Sequence, residues 1–188
     1  RLPLAIETER ESDIRTALAL AARLKLRLVL VGAAEGWRAA DAIAAAHVPV
    51  VLNPFATLPT SFDELGSRLD NAAILAAHGV TVAIGKAGGG IEESYNAGLA
   101  LREGAGLAVA NGLPHATGLA AIITAPRAIW GLPAPTLTAG APADIVVWDG
   151  DPLEPATNAR AVIIEGQEAN LANRQRALAE HYLGGERR

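Results

Sequence analysis

The chain contains no cysteine and no methionine, and only seven of its 188 residues are aromatic. Without cysteine there can be no disulfide framework, no zinc ribbon, no CxxC redox pair and no thiol nucleophile; compartment stays unreported, because nothing is present to be oxidised. Basic residues are not in excess either: 16 Lys and Arg against 20 Asp and Glu give a net charge of -4. The electrostatic footprint of a nucleic-acid binder is therefore missing. No apolar run approaches the roughly 20 residues of a membrane span. The opening RLPLAIETER shows neither an initiator Met nor a signal-peptide pattern, which reads as a processed start or a piece of a longer protein. What the chain does have is apolar mass: hydrophobic residues make up 51% of it, enough for a core in a chain of this length.

The apolar pattern alternates between short continuous runs and helical periodicity. Leu2 to Glu7 reads as a strand and Ser12 to Lys25 as a helix; Leu26 to Ala33 and Gly36 to His47 repeat the unit. Val48 to Pro54 is a third strand, followed by a longer turn-rich stretch and a helix from Leu69 to Gly79. A fourth strand, Val80 to Lys86, precedes a Gly-rich segment and helical patterns over about 92–110 and 115–130. Four βα units in a row predict a parallel α/β architecture. Beyond them the pattern becomes β-rich: Ala141 to Asp151 and Ala159 to Ala169 read as two strands of a small satellite sheet, and Asn173 to Leu183 as a terminal helix.

Two segments carry a resemblance. GAPADIVVWDGDPLE, with ITAPRAIWGLP and LTAG upstream of it, resembles the stretch in which metal-dependent amidohydrolases leave their barrel and re-enter a small β-sandwich. DIRTALALAARLKLRLVLVGAAEGW and LDNAAILAAHGVTVAIG are similar to the later half of the imidazolonepropionase-like branch. The resemblance implies a partial TIM-like (β/α) barrel of about four βα units plus part of a small β-sandwich, divided as 1–134, 135–172 and a helix with tail at 173–188. A full barrel takes about 250 residues. The four strands would correspond to strands five to eight, with an exposed inner apolar face and open edges. The implied partner is an upstream half-barrel chain or a second copy of this chain, with a small molecule as possible ligand and neither nucleic acid nor membrane.

The superfamily activity implied is metal-assisted hydrolysis of a non-peptide or cyclic C–N bond, with zinc or another divalent metal in active relatives. The matching ligand positions here have changed. Glu7 and Glu9 stand after the first strand where histidines are expected; Gly32 and Ala33 replace the usual histidine after the second; Gly85, Lys86 and Ala87 replace Thr-Asp after the fourth. No catalytic residue, metal ligand or cofactor is therefore expected in this chain, which should be inactive alone and bind no zinc tightly. The pocket candidates are Glu7, Glu9, Glu35, Asn53 and Lys86, with Arg10 and Trp37 nearby. One reading makes Glu7, Glu9 and Asn53 oxygen ligands of a hard cation and Lys86 an electrophile or base. The other pairs Lys86 with Glu7 or Glu9, a salt bridge in place of the ion. Two alternatives to an enzyme chain follow: a non-catalytic binding or scaffold protein on a degenerate barrel, and a subunit of a split amidohydrolase.

Other features read as structural. His47 and His78 fall at helix ends before strands, His115 begins a helix and His181 lies in the last one. AGGGIEES (87–94) lacks the Gly-Lys-Ser/Thr ending of a phosphate loop and reads as a flexible loop. The Asp149 turn resembles calcium-loop spelling but recurs in the family as a structural turn. Ser61 with Glu64 spells a capping box.

Overall fold

The computed structural model describes residues 2–57, 59, 61–85, 97–172 and 174–183. The chain forms two compact units, Arg1–Pro135 and Thr136–Arg188.

In the first unit, β1 (Leu4–Thr8), β2 (Leu28–Gly32), β3 (Val50–Leu52) and β4 (Val82–Ile84) form one parallel sheet in the order β1-β2-β3-β4. Sequential parallel neighbours with right-handed crossovers put their helices on one face. These connections are α1 (Glu11–Leu24), a 3-10 turn (Gly36–Arg38) with α2 (Ala40–Ala45), and α3 (Asn71–Ala77). Their buried Ile14, Ile43 and Leu75 belong to the core, together with Leu28, Leu30, Val50, Leu52, Val82 and Ile84 of the strands. The strands are shorter than the apolar runs that predict them, because the ladder ends where Asn53-Pro54 and Gly85 leave it. The second helix is broken as well: an Ala-rich segment without a capping side chain makes one turn of 3-10 helix before α2 begins.

The opposite face differs from expectation. The half-barrel reading leaves an exposed inner apolar surface, but α5 (His115–Trp130) packs there, following α4 (Ala97–Ala110). Ile129 forms a buried cluster with Val29 and Ala83, and Val51 and Ala125 pack against it. Arg27 fastens the helix, donating from Nη2 to the carbonyl oxygens of Ile129 at 2.6 Å and Ala128 at 3.4 Å, where carbonyls at a helix end need donors. Both faces of β2 are thus covered, whereas β1 pairs only with β2 among the described residues and keeps Leu4, Ala5 and Glu7 exposed. Among the described residues the four strands form an open sheet.

The second unit contains β5 (Ile145–Trp148), β6 (Ala159–Ile164), β7 (Gln167–Glu168) and α6 (Arg174–Leu183). The strands form an antiparallel sheet in the order β5-β6-β7. The single strand expected over 159–169 is a hairpin, because Glu165 and Gly166 both take positive φ (51° and 78°), the two-residue geometry that reverses a strand. The Asp149 turn is held structurally: its carboxylate accepts the Asn158 amide at 2.8 Å and pairs with Arg160 at 3.2 Å.

Ile129→Ala should cost about 2–5 kcal/mol in urea denaturation, whereas Ile123→Ala on the exposed side of the same helix, 45% accessible, should stay within about 0.5 kcal/mol. Equal effects would place α5 elsewhere.

Candidate functional site

Beyond the last ladder residues, β1 and β2 continue to bond through their loops. The Thr8 carbonyl accepts the Ala33 amide, the Glu9 carbonyl accepts the Glu35 amide at 2.8 Å, and the Glu9 carboxylate accepts the Ala34 amide through Oε2 at 2.8 Å. The turn permitting this has two successive left-handed residues, Gly32 (φ 85°) and Ala33 (φ 51°). Gly32 suits this turn because its φ disfavours any side chain; the Glu9 carboxylate, the far end of a flexible side chain, lies over it.

Glu35 faces another task. Its Oε2 accepts the amide of Glu11, the first residue of α1, at 2.9 Å, supplying the helix cap that Arg10 does not; Arg38 lies 3.5 Å from Oε1. A carboxylate at that position also complements the helix dipole. Glu35 lies beside Gly66, where a side chain at 66 would meet it, so it stands between α1 and the segment after β3.

The described part of that segment, residues 53–57 and 61–70, forms a wall over the strand ends. Trp37 donates from Nε1 to the Gly66 carbonyl at 2.9 Å, and the guanidinium groups of Arg38 and Arg68 lie 4.4 and 4.7 Å from its ring centre. Arg68 holds Asp70 through two hydrogen bonds of 2.7 and 2.6 Å, which keep the Asp70 carboxyl below its ordinary range. Arg10 pairs with Asp63 at 2.7 Å. Asn53 makes a local turn by accepting the Phe55 amide through Oδ1 at 3.2 Å. Ser61 makes no side-chain cap at the 3-10 turn Phe62–Glu64, so the capping box is not formed; its backbone carbonyl accepts the Glu64 amide instead.

Between wall and strands lies a cleft of about 120 Å³ at the carboxyl ends of β1, β2 and β3. Its polar lining includes Glu7, Glu9, Asn53, Glu64, Arg68 and Asn71, with the hydroxyls of Thr57 and Ser67. Of the five pocket candidates, the structure brings Glu7, Glu9 and Asn53 together there; Glu35 is instead the cap of α1. Lys86 and the 87–94 loop lie outside the described residues. Ser67, Arg68 and Asn71 are not singled out in the sequence, and Glu64 is read there only as the partner of a capping box. The only signal for them was the length of the segment after the third strand, since unusually long connections in compact domains carry function.

The cleft is acidic in its electrostatics. Burial raises the Glu9 pKa; the Ala34 hydrogen bond opposes the rise, while Glu64, Glu7 and Asp63 add to it. Two buried side-chain oxygens, Thr8 Oγ1 and Asn71 Oδ1, have no hydrogen-bond partner among the described residues, although Asn71 Nδ2 donates to the Ala33 carbonyl at 2.9 Å.

A hydrolytic metal needs converging imidazoles and carboxylates around an open position. Among the described residues no group of three His, Cys, Asp or Glu side chains is placed to hold one. His47 and His78 lie at the amino-terminal side of β3 and β4, away from the cleft; His78 bonds the Ile74 carbonyl at 2.8 Å and approaches Asp41 at 3.4 Å. His115 is the first residue of α5, and the His181 ring meets Tyr182 edge-on.

No model of a known family matches the chain, and no curated protein matches it significantly. Solved structures do. An amidohydrolase from Thermotoga maritima superposes over 89% of this chain with a TM-score of 0.77 and 25% identity. A prolidase complexed with N-methylphosphonate-L-proline superposes over 88% with a TM-score of 0.63 and 19% identity. This chain has an amidohydrolase-like fold. It spans less than half the length of these proteins, 43% and 44% respectively.

At neutral pH, Glu9→Gln should be at least as stable as the parent. A carboxyl whose folded pKa lies above its unfolded one favours folding while protonated, and that contribution is lost as pH rises through the folded value. The variant's advantage in Tm should therefore shrink as pH falls toward the ordinary glutamate range. An advantage for the parent that grows with pH would contradict the cause assigned to the shift.

Proposed function

We propose that this chain is the later half of an amidohydrolase-like hydrolase and that the cleft at the carboxyl ends of β1 to β3 is its share of the substrate site. One observation carries the reading: in a fold similar to that of an amidohydrolase, the cleft lies at the strand ends from which barrel enzymes build their active sites. The reaction proposed for the whole protein is hydrolysis of a non-peptide or cyclic C–N bond. An upstream half-barrel, present as a separate chain or as another part of the same polypeptide, supplies the missing strands and any metal; a second copy of this chain is the other way to cover the β1 edge.

In this chain's own share of the work, Glu7 and Asn53 offer hydrogen-bond acceptors to a substrate amide N–H. Residues 53–57 and 61–70 border that contact on one side. Glu9 is held in place by the Ala34 amide and carries a proton more readily than an exposed glutamate. The second reading is a non-catalytic binding role on the same cleft, in which Glu7, Glu9 and Asn53 hold a ligand without turnover.

A thermal-shift panel of cyclic amides, dipeptides and small carboxylates, run with product analysis, tests this. At least one cyclic amide or dipeptide should raise Tm of the chain, with the shift lost in Glu7→Ala and no product formed by the chain alone. Turnover by the isolated chain, or no shift from any compound, would overturn the proposal.

A further inference from the structure

We propose that residues 61–70 are a strap that lifts as one piece from a fixed post at Trp37, and that its lifting opens the cleft. Burial separates the two parts. None of the residues 61–70 is buried, and Phe62 (82% accessible) and Leu65 (67%) stand out in solvent. The core resumes abruptly at Asn71 and Ala72. Trp37, by contrast, sits on the 3-10 turn Gly36–Arg38, with buried Ala33, Ala34 and Gly36 before it and buried Ala39 and Ala40 after it. Apolar packing therefore holds the post, and it holds the trailing end of the strap, where Asn71 Nδ2 donates to the Ala33 carbonyl at 2.9 Å. The strap itself has no such anchor.

The strap keeps its own shape. Ser67 donates from its amide (2.9 Å) and its hydroxyl (2.6 Å) to the Glu64 carbonyl, and the Glu64 amide donates to the Ser61 carbonyl at 3.3 Å. Its ties to the post and to the residue before α1 are of another kind: the Trp37 indole N–H on the Gly66 carbonyl, the Arg68 guanidinium over the Trp37 ring, and the exposed Asp63–Arg10 pair. Ion pairs and cation–π contacts at a surface contribute little in water. Segments with few buried apolar contacts open at a lower free energy than the core does. Glu64, Ser67, Arg68 and Leu69 of the strap line the cleft together with Glu7, Glu9 and Ala72, so the strap is one wall of it and lifting widens it. That what enters is a substrate rests on the hydrolase reading; the strap and its latch rest on burial and contacts alone.

Hydrogen exchange of the Trp37 indole N–H, followed by NMR on the full chain, tests the latch. It should be faster than exchange of the Leu30 and Val50 amides and depend less on urea, since lifting exposes less surface than unfolding. Arg10→Ala removes a tie that does not involve Trp37, so in a strap that moves as one piece it should speed the indole about two- to fivefold, the range expected for one exposed ion pair. Exchange only together with the core, or no response to Arg10→Ala, overturns the strap. Because the chain has no cysteine, one introduced thiol reports access to the cleft. Ala72→Cys, at a cleft position 3% accessible, should react with iodoacetamide faster than Ala121→Cys, at a core position 0% accessible, and about two- to fivefold faster again when Arg10→Ala is added. Equal rates at the two positions overturn the claim that lifting opens the cleft. If Ala72→Cys does not fold, Ala34→Cys, also in the cleft lining, supplies the same comparison. Neither readout involves a substrate, so failure of the hydrolase reading leaves both intact and their failure leaves that reading untouched.

Discussion

The parallel pairing of β1 to β4 is the constraint on which the rest depends. Parallel neighbours in sequential order require each connection to cross from the carboxyl end of one strand to the amino end of the next, and the preferred hand puts α1, α2 and α3 on one face. All four carboxyl ends then lie along one rim. The loops leaving that rim meet each other whether or not they are close in sequence, which is how Glu9 reaches Ala34 and Trp37 reaches Gly66. The amino-terminal rim serves packing: Arg27 anchors the end of α5 there, and that helix closes the face left by the crossovers.

The cleft is built by substitution of functions among carboxylates. Glu35 caps a helix, Glu9 seats on a glycine turn, and Glu7 stays exposed, so three acidic residues within one short stretch of the rim have three different environments. Burying a charge among others of the same sign is costly unless hydrogen bonds repay it. Glu9 receives one such bond to its carboxylate and remains shifted, which marks it as a position kept at some expense to stability.

Much of the frame is legible in the sequence, because buried parallel strands are continuous apolar runs and LRLVLVG or VTVAIG admits few other readings. Boundaries are less so. The run from Val48 to Pro54 yields only three ladder residues, and Gly36 to His47 looks like one helix although no local residue caps it. The Glu165-Gly166 reversal was spelled in the sequence, but the apolar run before it suggested one long strand. Candidate site residues at strand ends could be read from position alone, as Glu7, Glu9 and Asn53 were. Glu35 could not, since its role depends on the amide of Glu11, 24 residues upstream; Arg68 could not, since it reaches the rim only by stacking on Trp37. The cover provided by α5 was equally hidden, because Ala125 and Ile129 look the same whether they face a strand or a neighbouring helix.

Amide hydrogen exchange on the chain, read residue by residue, tests the central claim that one cooperative sheet carries the cleft. The account predicts the slowest exchange at Leu30, Val50 and Gly85, whose amides bond to the carbonyls of Pro49, Thr81 and Leu52, with Ala34 protected alongside them through Glu9. Exchange at Leu30 and Val50 as fast as at the exposed positions 61–63 would contradict it, for the strand ends would then have no common frame on which to form a site.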